Sequence, residues 1–304
     1  MNKKRIIIAG GSGFIGTALA KELIARGHEV VVLTRWTSEH ADGIIEEEWD
    51  GRHLGEWIKF LDGASAVINL AGKNINCPHT PENLGAITDS RVHSVNAIAA
   101  AILHVKTPPS VWVQASAIGF YGDTRDHLCD ENSPGGDDAL AAVCKKWEGA
   151  FDSAKMPATR RVLLRIGFVL GREGGALPVL SKLTKFFLGG SAGDGKQFIS
   201  WIHFADLTRM FAEAIERKEL AGTFNAVAPA PVTNREFMRE LRRTLHRPWS
   251  PPAPKFAVRL GAWLMDSEPS LALASQCCAP KNFLAAGFEF QFSKLDEALE
   301  NLFE

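Results

Sequence analysis

Residues 5–35 read RIIIAGGSGFIGTALAKELIARGHEVVVLTR, and this stretch decides the fold. RIIIAG (5–10) is a short β-branched apolar run ending in glycines, which predicts a buried strand. Leu19, Leu23 and Ile24 then recur at helical spacing, and Gly27 stands where a helix C-terminus favours glycine. HEVVVLTR (28–35) is a second buried strand. Strand, glycine turn, helix and strand within about 30 residues make a βαβ unit with parallel strands.

The turn carries its own chemistry. Gly10, Gly13 and Gly16 are spaced three apart. The first permits a tight turn, the second lets backbone approach a pyrophosphate, and the third lets the helix pack closely on the sheet. Free N–H groups and the dipole at that helix end favour an anion. Set between a strand and a helix, the triplet predicts a dinucleotide site along Gly10, Gly13, Phe14, Ile15 and Gly16. NAD-type sites place a carboxylate about 20 residues further on, bonded to the ribose 2′-hydroxyl. Thr34 and Arg35 stand there instead, and an arginine grips a 2′-phosphate that a carboxylate would repel. These residues favour NADP(H); Asp42 or Asp50 folding back would oppose it.

The alternation continues down the chain. ASAVINLAG (64–72), PPSVWVQASA (108–117) and TRRVLLRIGFVLG (159–171) read as buried strands, with helices from about Ile87 to Leu103 and in DALAAVCKKWEGA (138–150). The pattern predicts an α/β chain built on a Rossmann-type doubly wound parallel sheet. After Gly171 glycine and proline thicken, FISWIHFADLTRMFAEAIE (198–216) reads as a strand leading into a helix, and TNRE (233–236) has capping-box spacing. The proline-rich RPWSPPAPK (247–255) precedes a last helical segment. The expected division is an NADP(H)-binding Rossmann domain over residues 1–170, with later strands returning from 198–228, and a smaller substrate-binding domain drawn mainly from 171–304.

Composition bounds the partners. A formal charge of −1, from 34 basic and 35 acidic residues, gives no general pull toward nucleic acid or an anionic membrane. The pairs Arg160–Arg161 and Arg242–Arg243 read as solvated ends of elements. No apolar run approaches the roughly 20 residues needed to span a bilayer, and the start is too short in apolar residues for a signal peptide. Cys77, Cys129, Cys144, Cys277 and Cys278 show no CxxC spacing, which predicts reduced thiols and a cytoplasmic setting. The histidines form no HxxxH or HExxH arrangement, so no metal is expected.

Taken in order, GGSGFIG, INLAG, SAIGFYGD, DENSPGG, LRIGFVLG, WIHFADL and FNAVAPAPVTNREF resemble the extended short-chain dehydrogenase/reductase superfamily. More closely the chain is similar to its atypical epimerase-like family, the nucleoside-diphosphate-sugar epimerase or cell-division-inhibitor homologue type. The resemblance implies NADP(H) along the glycine loop, with Thr34 and Arg35 flanking the adenosine phosphate and Leu70, Ala71 and Gly72 on the nicotinamide side. It implies that Arg91, in DSRVHSVN, is a further cofactor or active-site contact, and that the segment holding His203 and Asp206 helps to shape a small-molecule substrate pocket. A homodimer is the common assembly of the superfamily. Lys73 departs from the glutamate the family usually has after NLAG.

Catalytic members of that superfamily use a Ser or Thr at the end of the fifth strand and a Tyr-x-x-x-Lys pair on the next helix. The tyrosine is general acid or base, and four residues of helix put it and the lysine on one face. Here Lys145 would require a tyrosine at Ala141, Lys146 one at Ala142, and Cys144 in the lysine slot leaves Leu140. The single tyrosine of the chain, Tyr121, lies in FYGDTR after the strand. The dyad is absent in every register.

Two readings follow. In one the chain is an oxidoreductase or epimerase acting on a small carbonyl or sugar-nucleotide-like compound, with its proton transfer drawn from Ser116, Tyr121, Asp123 or Lys145. In the other hydride chemistry has lapsed, leaving a cofactor-binding regulatory or interaction protein, with a cell-division link implied by the family label. Arg165 either meets an anionic substrate or pairs with an acid, and His203 either faces the pocket or packs behind a helix capped by Asp206.

Overall fold

The computed structural model describes residues 3–37, 43–264 and 266–304. β1 (Arg5–Ala9), α1 (Phe14–Ala25) and β2 (Glu29–Thr34) form the opening βαβ unit. β3 (Ile45–Glu48), α2 (Ile58–Leu61), β4 (Ala66–Asn69), α3 (Pro81–His104) and β5 (Val111–Ala117) follow. A 3-10 turn (Ile118–Tyr121) leads to α4 (Ala139–Ser153), β6 (Arg160–Ile166) and β7 (Phe168–Leu170). Then come α5 (Leu177–Lys185), β8 (Phe198–Ile199), β9 (Trp201–His203), α6 (Phe204–Glu216), β10 (Gly222–Ala226) and β11 (Val232–Thr233). The chain ends in α7 (Asn234–Thr244), α8 (Lys255–Leu264), α9 (Ser270–Leu273), α10 (Lys281–Ala285) and α11 (Leu295–Phe303).

Seven parallel strands lie in the order β3-β2-β1-β4-β5-β6-β10. The chain reverses direction across the sheet between β1 and β4, so a crevice opens at the carboxyl ends of those two strands. Helices cover both faces, which is why the central strands are apolar at every position rather than at alternate ones. Ile6 and Ile8 pack with Leu19 and Leu23 of α1 and Met210 and Phe211 of α6. Ile7, one residue out of phase, packs with Val95 and Ile98 of α3 and Phe151 of α4. A third core of Leu170, Leu177, Trp201, Phe237, Leu241 and Leu299 holds α5, α7 and α11 together. No helix among the described residues is long and apolar enough to cross a membrane.

Several local expectations are corrected. α3 begins at Pro81, not near Ile87, because Thr80 caps it by accepting from the Asn83 amide at 3.2 Å and Pro81 fits the first turn. Its polar first turn, PENLG, has no apolar stripe to announce it. The run 159–171 is two strands, β6 in the main sheet and β7 paired with β9. They part at Gly167, where a Cβ would stand 2.4 Å from the Ser200 carbonyl oxygen. β3, with the sequence IEEE, is a polar edge strand that apolar patterning does not reveal. Arg160 and Arg161 are not solvated ends. Arg160 donates to the carbonyls of Ala214, Ile215 and Leu220 beyond one face of the sheet, and Arg161 to those of Phe151, Asp152 and Ala154 beyond the other. Each arginine ties down the C-terminal end of a covering helix, α6 or α4. The capping box at Thr233 and Glu236 forms as its spacing predicts.

Gly167→Ala should cost about 1–3 kcal/mol of stability by overpacking the point where β6 and β7 part. Thr80→Ala should cost about 1 kcal/mol by removing the α3 cap. Denaturant unfolding of the two variants against the parent checks both magnitudes.

Candidate cofactor crevice and active site

The crevice is shaped by glycine. Gly10 has φ of +73°, and a Cβ there would lie 2.9 Å from the Ala71 backbone, so the turn after β1 and the loop after β4 approach with nothing between them. A Cβ on Gly16 would stand 2.5 Å from the Gly11 Cα, which fixes α1 tightly against that turn. α1 starts at Gly13 with no side-chain cap and no acidic residue in its first turn, leaving its amide N–H groups for an anionic ligand. The Phe14 ring is roofed by Gly171, Gly174 and Gly175, at each of which a Cβ would come within 3.6 Å of the ring. Ile15 packs partly buried against the core beneath.

Thr34 ends β2 and holds the turn by donating from Oγ1 to the Ser12 hydroxyl at 3.1 Å. Arg35 next to it is exposed. Asp50 does not fold back toward them: its carboxylate accepts from the Arg52 and His53 amides and meets the His53 ring at 2.5 Å. Those hydrogen bonds pull its pKa down to about 2. Asp42 lies outside the described residues. On the other wall, buried Asn69 donates to Ser94 and Gln114 and accepts from the Ala71 amide, and so positions Leu70, Ala71 and Gly72. Arg91 reaches behind Gly72, donating from Nη1 to the Lys73 carbonyl at 2.9 Å, with its guanidinium 5.0 Å from the Trp147 ring. Lys73 itself turns to Asn83.

The four proton-transfer candidates are not brought together at a ligand-facing surface. Ser116 is buried and donates to the Glu148 carboxylate at 2.6 Å. The same carboxylate takes Nε and Nη2 of Arg165 in a two-pronged pair at 2.9 and 2.7 Å. Arg165 Nη1 donates to the Tyr121 hydroxyl at 2.9 Å, and that hydroxyl donates to Asn225 Oδ1 at 2.8 Å. Tyr121 is 4 % exposed, and burial, only partly countered by the neighbouring Arg165 charge, pushes its pKa up to about 12. Asp123 accepts from the Arg125 and Ser275 amides. Lys145 points outward, 3.7 Å from exposed Asp137.

Arg165 is thus an interior partner of an acid, its guanidinium 3.6 Å from the Phe120 ring. Glu148 is the residue that sequence reasoning missed. An acid four residues after Cys144 on a buried helix face was its signal, since a buried carboxylate demands a cation. Cys144 is buried too, its thiol pushed up to about 12 by burial.

His203, not Asp206, caps α6: its Nδ1 accepts from the Ala205 amide at 3.2 Å. Its fully buried ring stacks on Phe292 at 3.9 Å, so it offers no surface to a ligand. Asp206 accepts from the Gln291 and Phe292 amides and pairs with Arg209. Among the described residues no group of three or more His, Cys, Asp and Glu side chains is arranged to hold a metal ion.

A family model described as the NAD dependent epimerase/dehydratase family matches residues 6–226, the span from β1 to the end of β10. The chain belongs to that family. A domain of unknown function (DUF1731) matches residues 253–302. The epimerase family protein SDR39U1 of Bos taurus is 37 % identical over 305 residues, covering 98 % of this chain and 99 % of that one. A chloroplastic SDR39U1 homologue of Arabidopsis thaliana is 34 % identical over 304 residues, covering 98 % and 86 %. The crystal structure of human SDR39U1 (isoform 2) with NADPH matches with a TM-score of 0.87 and 34 % identity over 98 % of each chain. The resemblance read from the ordered motifs therefore stands.

Glu148→Ala should destabilise the fold by about 3–5 kcal/mol, because it strands a buried guanidinium. Tyr121→Phe should cost about 1–3 kcal/mol by leaving the Asn225 carbonyl and one Arg165 nitrogen short of a partner. Calorimetric unfolding tests both. Burial pushes the His203 pKa down to about 4 from an ordinary 6.5, so the native ring stays neutral while the unfolded one protonates. Stability is then unaffected above pH 6.5 and falls as pH drops from 6.5 toward 4, by about 2–3 kcal/mol. His28, also lowered by burial, acts in the same direction. His203→Gln should flatten that acid limb in unfolding curves taken across the range.

Proposed function

We propose that this chain is an NADP(H)-dependent oxidoreductase or epimerase-like enzyme acting on a small carbonyl or sugar-nucleotide-like compound without the usual Tyr-x-x-x-Lys pair. The observation that carries the reading is the uncapped N-terminus of α1 set against a strand end that offers Thr34 and exposed Arg35. The NADPH in the human SDR39U1 structure supports it. The first 170 residues with the returning strands of 198–228 form the cofactor side, and the rest of 171–304 forms the substrate side. Five free cysteines, four of them buried, fit a cytoplasmic setting.

Each part has a task in this reading. The N–H groups from Gly13 onward take the pyrophosphate, and Gly10 lets backbone approach it. Arg35 takes the 2′-phosphate, while Phe14 and Ile15 seat the loop on the core. Leu70, Ala71 and Gly72 wall the nicotinamide side. NADP(H), when bound, supplies or receives the hydride. In this reading none of Ser116, Tyr121, Asp123 and Lys145 acts as general acid, which forgoes a contribution of roughly 10²- to 10⁴-fold.

The burial of Ser116 and Tyr121 in an internal network favours one other reading, a cofactor-binding regulatory or interaction protein whose turnover has lapsed. Titration of tryptophan fluorescence with NADPH and NADH separates the cofactor forms. NADPH should bind at least about tenfold more tightly, and Arg35→Ala should erase that preference. Binding of neither sinks both readings. NADPH consumption across carbonyl and sugar-nucleotide panels then tells enzyme from regulator: turnover supports the first, tight binding without turnover the second.

A further inference from the structure

The chain treats its buried and half-buried guanidinium groups unequally. Arg165 has a carboxylate on two nitrogens and a hydroxyl on the third. Arg160 and Arg161 each gather three carbonyls at helix ends, where the dipole favours a cation. Arg91 has two carbonyls, Lys73 at 2.9 Å and Ile87 at 3.1 Å, and both fall on Nη1. Among the described residues Nε and Nη2 donate to nothing, and no carboxylate pairs with this side chain. It is wedged against Gly72, where a Cβ would lie 3.0 Å from Cζ, and lies over Trp147. Burial holds its pKa below the ordinary arginine value, and the charge-bearing neighbour it feels is Cys144, whose raised thiol pKa keeps it neutral. Arg91 is half-buried, so its unpaired Nε and Nη2 are open to an arriving anion, with which they can form charge-assisted hydrogen bonds.

A second polar group is left over nearby. Gly119, in the 3-10 turn after β5, faces the Cys144 thiol at 3.8 Å and the Gln276 carboxamide Nε2 at 3.7 Å, measured from the position of a Cβ. The Gln276 side chain has no hydrogen-bond partner among the described residues. It arrives from the C-terminal half on a segment anchored by its backbone, Gln276 N–H to the Phe198 carbonyl at 2.9 Å. Cys144 links the two groups. Its thiol faces Gly119 beside the Gln276 carboxamide and lies within electrostatic reach of Arg91. The Arg91 guanidinium holds the loop that walls the proposed nicotinamide side.

We propose that Arg91, assisted by Gln276, is a substrate-positioning anion receptor, and that the compound acted upon is a carbonyl compound bearing a carboxylate. The inference rests on the NADP(H)-dependent reading above and narrows its substrate class. The planar fork of Arg91 suits two oxygens of one carboxylate, which a neutral sugar does not offer.

The test uses the full chain saturated with NADP+ and two small probes, malonate and its neutral analogue malonamide, titrated by calorimetry. Malonate should bind saturably and malonamide should not. Arg91→Gln should weaken malonate by about tenfold or more, Arg91→Lys by roughly threefold, and Gln276→Leu by an intermediate factor. The lysine and Gln276 variants keep the test decisive if Arg91→Gln fails to fold. Three results overturn the proposal: no malonate binding by the parent chain, equal malonate binding by Arg91→Gln, or a tenfold loss of NADP+ affinity in Arg91→Gln without malonate. The last would make the guanidinium a cofactor-phosphate ligand. If NADP+ does not bind at all, the functional reading fails separately, and malonate binding to the cofactor-free chain, lost in Arg91→Gln, still decides this one.

Discussion

The buried ion pair between Glu148 and Arg165 is the constraint around which the carboxyl ends of β5, β6 and β10 are arranged. Removing two charges from water costs several kcal/mol per ion, and only a complete set of hydrogen bonds repays it. Here every guanidinium nitrogen and both carboxylate oxygens have a partner. Ser116 fills a further lone pair of the carboxylate, Tyr121 takes the remaining guanidinium nitrogen, and Asn225 takes the tyrosine proton. Asn225 is held in turn by Glu131 and the Ala279 carbonyl. Through these contacts one helix, three strands of the sheet and the turn after β5 share a single geometry, and none can move without exposing an unpaired charge.

That constraint has a chemical consequence. A general base should titrate near neutrality, and the environment of Tyr121 moves it the other way, to about 12. Its hydroxyl also donates and accepts already, so it has no proton geometry free for a ligand. Ser116 is committed in the same manner. In this structure Ser116 and Tyr121 are therefore tied into an interior network, and α4 carries Cys144 and Trp147 on its buried face.

How much was legible follows from where the physical requirement falls. The crevice between β1 and β4 depends on the backbone: a left-handed residue at Gly10 and missing Cβ atoms at Gly10 and Gly16 are visible as residue types at fixed spacing. The central strands are legible because burial on both faces makes them apolar throughout. Glu148 and Arg165 are 17 residues apart on different elements, and spacing alone does not pair them. A carboxylate on the buried face of one element and a cation inside an apolar strand on the next were each visible, and each required a partner. Arg160 and Arg161 were hidden for a different reason. Adjacent strand residues point to opposite faces, so a pair that looks like one basic patch serves two separate helices.

One seam between the two halves of the chain is built largely from main-chain groups. Residues 123–129 and 275–279 run side by side, with Thr124 N–H to Ser275, Cys129 N–H to Cys277 and Ala279 N–H to Cys129. Asp123 and Thr124 add side-chain bonds to the same backbone. A seam built this way fixes the path of a segment whose side chains largely face the interior, with Ser275, Cys277 and Cys278 buried. The crevice between β1 and β4 is set by glycines and tolerates little change. The segment around Gln276 is constrained as well, and within residues 275–278 Gln276 alone keeps a partly exposed side chain.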